Sequence, residues 1–431
     1  MGRGGELGGG REATQRGRAT AFTLSPGENH LLLEAEAANG RLNVDLGWYH
    51  RYPARFASDV LTTMLTGIIL RSKAPLMTCL DPFAGTGATM AACRQLGIGS
   101  MGVELTRLGV EIARLRLDPP RSVDNALELV EGWSVQAAPM RADIDAELVG
   151  WLGDDNARAL TGYLTALEAV GDERTARFAR VAISQALRPA SRWLVGSVKV
   201  TADPTRRPPA IGVQLRRWAR AMARDCIGEQ QRTRLVAGRP APAAILLGDA
   251  CHLPIADASV DAAVTSPPYF VTYDYFEVNR LSYLAFGWPR PRELQVGMRF
   301  GISTDGIGFT PPRALTGWYR DFDKENTLFG RALRAYCQRM SIHMTELFRV
   351  LRPGGILAYA AANSTRKGKA FRLVKACEQL MEQAGFDVLS TTPRDLGDKH
   401  ILPVTRHPVT GRFASEGIAG VAERIIYARR P

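Results

Sequence analysis

The sequence has little of what a membrane anchor, a metal site or a disulfide framework needs. No run of about 18 apolar residues occurs in the 431-residue chain, so we expect no transmembrane helix. The six cysteines form no C-x-x-C pair and lie apart from any histidine cluster, which argues against zinc and disulfides and suits a reduced, cytoplasmic protein. The N-terminus also lacks the apolar stretch of a secretory signal. We therefore expect neither a membrane segment nor a metal site.

Acidic residues are scarce relative to basic ones. Asp and Glu together number 43 against 55 Lys and Arg, which gives a formal net charge of +12. An excess of this size favours a polyanionic partner, nucleic acid before membrane. The imbalance is strongest over residues 201–240, where nine arginines stand against three acids. That stretch is either a solvated helical face or a surface for the DNA backbone.

Composition and periodicity divide the chain into four parts. Residues 1–28, rich in Gly, Arg and Thr, are predicted to be a disordered basic tail. Apolar strands alternate with helices over 29–117 and again over 243–431, which predicts an α/β core with a parallel sheet. Residues 118–242 interrupt this core and are predicted to be a helical, Arg-rich insertion.

The element predictions follow apolar runs and their Gly, Pro and Asp boundaries. The predicted strands are 76–80, 100–104, 243–247, 260–265, 356–361, 386–391 and 422–428. The predicted helices are 57–72, 86–96, 106–117, 274–286 and 369–384, with a further helix that ends near residue 350. Residues 288–325, which carry several prolines and glycines, are predicted to be a loop.

A Gly-rich turn between a strand and a helix, D-P-F-A-G-T-G-A-T at 81–89, is the first candidate site. Its glycines allow a ligand close to the backbone, and the helix N-terminus attracts an anion. A dinucleotide site would need a third glycine where Met90 stands. S-adenosylmethionine suits the turn better, with its carboxylate at the glycines, its ammonium at Asp81 and its ribose hydroxyls at Glu104. Glu104 is equally explained as an acid near the start of the next helix.

The second candidate site is T-S-P-P-Y at 265–269, directly after a strand. Two prolines stop the strand and fix the loop. Ser266 Oγ and the Pro267 carbonyl could then accept hydrogen bonds from an exocyclic amine while Tyr269, helped by Phe270, stacks on the base. In isolation the same residues are simply a Pro-rich turn.

Together these segments resemble motifs I and IV of the amino-methylating DNA methyltransferases, which modify cytosine N4 or adenine N6. H-R-Y-P-A-R-F at 50–56 resembles the segment that precedes motif I in that family and packs near the cofactor. L-G-D-A at 247–250 resembles its motif III, in which the acid lies near the adenine, and V-L-R-P-G-G at 350–355 resembles the turn that opens strand 5. The resemblance covers roughly 48–117 and 243–430, and residues 118–242 match no known motif.

This resemblance implies a class I S-adenosylmethionine-dependent methyltransferase fold, which is a Rossmann-like, seven-stranded sheet, here with a helical insertion. It implies a catalytic loop made of Ser266, Pro267, Pro268 and Tyr269. It implies a cofactor site made of Phe56, Asp81, Pro82, Phe83, Gly85, Gly87, Thr89, Glu104 and Asp249.

The implied activity is methyl transfer from S-adenosylmethionine to N4 of a cytosine flipped out of double-stranded DNA. S-P-P-Y usually accompanies cytosine N4 in the family, whereas D-P-P-Y or N-P-P-Y usually accompanies adenine N6. Adenine N6, an RNA amine and a non-catalytic DNA-binding module remain alternatives, but cytosine C5 does not, because no cysteine lies in a Pro-Cys motif. Target recognition could lie in 118–242, in 288–325, or in both, and a cognate restriction endonuclease could accompany the protein in a restriction-modification pair.

Overall fold

A seven-stranded mixed sheet forms the centre of the protein in the computed structural model. The structure describes residues 25–46, 50, 52, 56–133, 143–197, 200–237, 241–270, 274–297, 310–317, 328–366, 369–393 and 423–431. The strands of the sheet are β1 Thr78–Asp81, β2 Gly99–Glu104, β3 Ala243–Leu247, β4 Val260–Thr265, β5 Leu351–Ala362, β8 Asp387–Pro393 and β9 Glu423–Arg429. A separate small hairpin consists of β6 Ser364–Arg366 and β7 Lys369–Phe371.

The strand order is β3-β2-β1-β4-β5-β9-β8. Strands β1 to β5 are parallel, and β9 alone runs antiparallel to its neighbours β5 and β8. One antiparallel strand inserted next to the edge of an otherwise parallel sheet is the arrangement of the class I methyltransferase fold. The predicted fold class is therefore confirmed.

Helices cover both faces of the sheet. Both faces need to be covered because successive side chains along β4 and β5 point alternately to the two faces. Ala262 and Ala358 point to a core that contains α1 Pro26–Ala38, α2 Ser58–Ile69 and α3 Ala88–Gln95. Their neighbours Ala263 and Leu357 point to the opposite core. The helices α12 Leu328–Val350 and α13 Leu373–Ala384 pack there. Helix α4 Arg107–Leu117 packs beside β3.

The insertion is helical, as the sequence predicts, and its helices share one hydrophobic cluster with α4. Its helices are α5 Val123–Gly132, α6 Ala146–Leu152, α7 Asp154–Glu168, α8 Glu173–Leu187 and α9 Ile211–Ala237. Their apolar faces bury Phe178, Trp193 and Leu215, and the same cluster extends to two short helices that follow the T-S-P-P-Y loop. These are α10 Tyr275–Val278 and α11 Arg280–Ala285. The insertion thus packs directly against the catalytic half of the core.

Four local predictions need correction. Ser25 caps α1 through a reciprocal capping box with Glu28, so a helix begins inside the predicted basic tail, whose residues 1–24 lie outside the described ones. The predicted helix 274–286 is broken at Asn279, whose side-chain amide donates to the Tyr275 carbonyl at 2.8 Å and ends α10. Residues 369–371 form β7, so α13 starts later than predicted. The P-G-G turn lies within β5, as a bulge against β4.

Parts of the 288–325 segment are described, and they are loop-like as predicted. Its described residues include two short 3₁₀ turns, Arg292–Leu294 and Arg313–Leu315. Within the part of the chain that the structure describes, no helix combines the length and apolar content needed to cross a membrane. The same residues contain no cluster of three His, Cys, Asp or Glu side chains that could bind a metal ion.

Candidate active site

A cleft opens at the carboxyl edge of the sheet, where β1 and β4 run side by side. Its empty volume, with open solvent included, is about 600 Å³. The chain proceeds from β1 to β2 on one side and returns as β4 on the other, and such a reversal of strand order leaves a crevice that binds ligands. Residues that follow four parallel strands line it: Pro82, Phe83 and Gly85 after β1, Glu104 to Thr106 at β2, Gly248 to Ala250 after β3, and Ser266 and Pro268 after β4. The cleft therefore brings both candidate motifs together.

The two glycines of the first motif have different roles. Both have left-handed backbones, with φ of +53° at Gly85 and +78° at Gly87. A Cβ on Gly87, which begins α3, would lie 2.9 Å from Ala113 Cβ, so Gly87 allows α3 and α4 to pack closely. A Cβ on Gly85 would meet nothing closer than 4.0 Å, and Gly85 lines the cleft. Only Gly85 thus leaves room for a ligand beside the backbone.

Asp81 is buried beneath the turn and does not line the cleft. Its carboxylate accepts hydrogen bonds from Thr89 Oγ1 at 2.5 Å, Thr265 Oγ1 at 2.8 Å and the Phe83 amide at 3.1 Å. Burial outweighs these bonds and raises the pKa of Asp81 to about 6. Because Thr265 directly precedes Ser266, Asp81 links the Gly-rich turn to the catalytic loop. Asp81 and Thr89, both predicted to contact the cofactor, hold the two loops in register.

Glu104 lies in the lining of the cleft and binds the turn from the neighbouring strand. It accepts the Gly85 amide at 2.9 Å and the Thr106 amide at 2.8 Å. Tyr52, from the H-x-Y segment, lines the same wall and forms a 2.7 Å hydrogen bond with Thr106 Oγ1. Burial raises the pKa of Glu104 despite the donors around it. Thr106 is the N-cap of α4, and Glu104 accepts the amide of that residue, so Glu104 is also an acid at the start of the next helix, as the simpler explanation expects.

Asp249 lines the far side of the cleft and is paired with an arginine that the sequence prediction missed. Arg339, from the middle of α12, donates to both Asp249 oxygens at 2.9 and 2.8 Å and to the Leu294 carbonyl at 2.8 Å. Burial would raise the pKa of Asp249, but the Cys251 amide and this guanidinium reverse the effect and lower it. Arg339 thereby joins two walls of the cleft. Its helical sequence context carried no signal of this role.

A second residue of α12 supports the floor of the cleft. His343 is fully buried, and its ring centroid lies 4.7 Å from that of Phe83. Burial lowers its pKa to about 4, so it is neutral at pH 7. Its Nδ1 lies 3.1 Å from the carbonyl oxygen of Ala250, which fits a donated hydrogen bond in that tautomer. His343 therefore positions the β3 loop against the first motif.

The T-S-P-P-Y loop presents two of its four predicted catalytic residues to the cleft. Ser266 and Pro268 line it, whereas Pro267 is buried and Tyr269 lies to the side. The Tyr269 hydroxyl donates to Glu423 Oε1 at 2.8 Å, and burial together with that carboxylate raises the pKa of the phenol well above its ordinary value. Tyr336 donates to the Pro268 carbonyl at 3.2 Å and so fixes the loop from behind.

Two aromatic residues lie away from the cleft lining. Phe270 is 1% exposed and stacks on Phe371, 5.4 Å between ring centroids, so the prediction that it helps to stack on a base is wrong. Phe56 packs against the core under α2 and is not among the cleft-lining residues. Tyr52, four residues earlier, contacts the cleft instead. The H-x-Y segment therefore reaches the site, though by a different ring, and its residues 53–55 lie outside the described ones.

Comparison with known proteins finds likeness to solved structures but not to family models or curated sequences. No protein-family model matches the chain, and no curated protein matches it in sequence. Similar solved structures include an inferred DNA modification methylase from Thermus thermophilus, at 18% identity and a TM-score of 0.22 over 43% of this chain. This chain spans 51% of that protein's length. A S-adenosylmethionine-dependent methyltransferase from Methanosarcina mazei is 10% identical, with a TM-score of 0.30 over 84% of this chain and 96% of its own. The cyclase SpnF is 11% identical, with a TM-score of 0.33 over 94% and 93%.

The strand order and the cleft at the switch point define a class I methyltransferase fold. TM-scores of 0.33 and below support no statement about activity, so substrate and reaction must be argued from the site residues.

Proposed function

We propose that the protein transfers a methyl group from S-adenosylmethionine to the exocyclic N4 amine of a cytosine flipped out of duplex DNA. The observation that carries the proposal is the cleft itself. It brings Gly85 of the first motif, and Glu104 at the end of β2, into one cavity with Ser266 and Pro268 of the second motif. Residues that suit a ribosyl sulfonium thus face residues that suit an amine. The Thermus thermophilus methylase has been crystallised with S-adenosylmethionine, but at a TM-score of 0.22 that likeness does not carry the assignment.

The cleft residues fit the cofactor in charge and in space. Gly85 leaves the backbone open, and Glu104 offers a carboxylate of the kind that binds vicinal ribose hydroxyls. Asp249, held ionised by Arg339, offers a second acceptor at the opposite wall. Asp81 stays in its buried hydrogen bonds, so we assign it to positioning rather than to the cofactor ammonium. When bound, the cofactor supplies an electrophilic methyl on its sulfonium.

The catalytic loop orients the nucleophile. Ser266 lines the cleft, so its Oγ accepts a hydrogen bond from the amino group and holds the nitrogen lone pair towards the methyl. With the cofactor bound, the nitrogen would bond to the methyl carbon as the carbon–sulfur bond breaks, and the sulfur would leave as a neutral thioether. No covalent bond to the protein forms, and the cationic product amine then loses a proton to water. Positioning of two bound reactants supplies most of the rate enhancement. The fixed prolines and the Tyr336 hydrogen bond keep that geometry rigid.

The first experiment measures methyl transfer from labelled S-adenosylmethionine to mixed-sequence duplex DNA, followed by digestion and mass identification of the nucleoside. We expect N4-methylcytosine. N6-methyladenine would keep the cofactor site and refute the base assignment, and label in RNA alone would refute DNA as substrate. DNA binding without turnover or cofactor binding would favour a non-catalytic module.

A pair of serine variants tests the assigned role of the loop. Ser266→Ala should keep cofactor affinity by calorimetry and lose turnover. Ser259→Ala is the matched control, because its hydroxyl bonds the Ala256 carbonyl just before β4, at the other end of the strand. Ser259→Ala should retain turnover. Loss of cofactor binding in Ser266→Ala would contradict the division of the cleft into cofactor and amine sides.

A further inference from the structure

A second cavity lies between the helical insertion and the helices that follow the catalytic loop. Its empty volume, open solvent included, is about 950 Å³, and it is bordered by α8, α9 and α11. The lining contains Arg188, Arg206 and Arg217 together with Trp193 and Trp218, and none of its described residues is Asp or Glu. We call this cavity the basic pocket. A concave site with three guanidinium groups and no carboxylate in its described lining attracts an anion.

Two arginines of the basic pocket contact neutral groups of the protein. Arg188 lies over the Trp193 ring at 4.4 Å from the centroid, and Arg206 donates to the Pro189 carbonyl at 2.7 Å. Arg206 also helps to lower the pKa of Asp203, although hydrogen bonds from Thr205 are the larger cause. Carbonyls and rings orient a guanidinium without cancelling its charge.

Other arginines of the same basic stretch behave differently. Arg220 pairs with Glu131, and Arg232 lies 3.2 Å from an Asp45 carboxylate oxygen. These side chains serve the solvated, ion-paired face that was the simpler expectation for residues 201–240. The arginines that line the basic pocket are therefore different from those that form ion pairs and stabilise the fold.

The basic pocket adjoins the active-site cleft. His50 lines the pocket and Tyr52, two residues later, lines the cleft. Helix α10 makes the same connection, because Tyr275 lines the cleft and Val278 lines the pocket. About one helical turn separates these two residues. A polymer with one unit in the cleft can therefore reach the pocket with a neighbouring unit.

We propose that the basic pocket binds the sugar-phosphate backbone of the nucleic-acid strand whose base enters the cleft. This inference rests on the proposed function and names the part of the insertion that contacts the substrate. The phosphate charge complements the arginines, and backbone contacts of this kind set the register of a protein on nucleic acid without reading its sequence.

The test compares two single-charge variants of α9. Arg217→Gln removes an exposed guanidinium of the pocket whose aromatic partner is Trp218, at 5.6 Å. Arg224→Gln removes the same charge from an exposed position two turns further along the helix, outside the pocket lining. Affinity for a labelled mixed-sequence duplex is measured by anisotropy from about 50 to about 200 mM salt, with cofactor affinity measured in parallel.

One lost phosphate contact lowers the slope of log affinity against log salt by about 0.9, so the wild type should lose about 3.5-fold more affinity than Arg217→Gln across this fourfold salt range. Arg224→Gln should keep the wild-type slope, Arg217→Lys should restore it, and cofactor affinity should not change.

Equal slopes for Arg217→Gln and Arg224→Gln, in a protein that still methylates DNA, would overturn the pocket assignment and leave the proposed function intact. A wild-type protein that binds neither DNA nor RNA would overturn both. A change in cofactor affinity for Arg217→Gln would show that the residue acts through the cleft and not through the nucleic-acid backbone.

Discussion

Replacement of Asp81 by asparagine tests the buried junction between the two motifs. Asp81 is 1% exposed, and its carboxylate bonds Thr89, Thr265 and the Phe83 amide. An asparagine keeps the shape: its oxygen can accept from the amide and from Thr265, and its amino group can donate to the Thr89 hydroxyl. The substitution therefore removes the charge and little else.

The expected magnitude follows from the pKa of Asp81, which burial raises from 3.8 to about 6. The folded state then binds the proton more tightly than the unfolded state, so stability is fully present below about pH 4 and falls as the pH rises through about 6. A shift of about two pH units corresponds to about 3 kcal/mol. The asparagine side chain has no charge to bury, so Asp81→Asn should gain about 3 kcal/mol relative to wild type between about pH 4 and about pH 7.

Urea unfolding at several pH values between about 4 and about 7 measures this difference. Asp387→Asn is the control for the loss of one carboxylate, because Asp387 is exposed at the start of β8. A difference between Asp81→Asn and wild type that stays constant across this range would refute the claim that Asp81 is a buried, titrating carboxylate.

Three further substitutions test the site. Arg339→Gln should raise the pKa of Asp249 and weaken S-adenosylmethionine binding by about tenfold or more, since hydrogen bonds to charged groups contribute about 1.5–3 kcal/mol. Calorimetry measures the affinity. An affinity equal to that of the wild type would remove Asp249 from the cofactor site. Gly87→Ala should lower the free energy of unfolding by at least about 1–2 kcal/mol, because the backbone there is left-handed and the new Cβ would lie 2.9 Å from Ala113 Cβ. A variant with the unfolding free energy of the wild type would contradict that packing. Phe270→Ala should cost about 3–5 kcal/mol of stability, whereas full stability with lost turnover would restore a role in base stacking.

Local sequence patterns were sufficient for most elements of the sheet. The predicted strands 243–247 and 260–265 match β3 and β4 residue for residue, and α4 ends at Leu117, before two prolines, as predicted. An apolar run bounded by Gly, Pro and Asp is a local signal, because all the residues that form it are neighbours in the sequence. Errors arose where a side chain overrode such a pattern, as Asn279 did when it divided α10 from α11.

The sequence also predicted several residues that meet at the cleft. Gly85, Glu104 and Ser266, from the strand-to-loop pattern, and Asp249, from the family resemblance, all line it. Carboxyl ends of parallel strands meet at one edge, so residues that follow separate strands converge once the fold class is known.

Only the tertiary structure decided which side chains reach that cleft. Asp81 turns inward to Thr265, 184 positions away, and Arg339 reaches Asp249 across 90 positions. Each of these side chains is surrounded by segments that are distant from it in the sequence. Those segments set the burial of the side chain, its pKa and its hydrogen-bond partner. The basic pocket has the same origin, because helices of the insertion enclose its arginines only after packing beside α10 and α11.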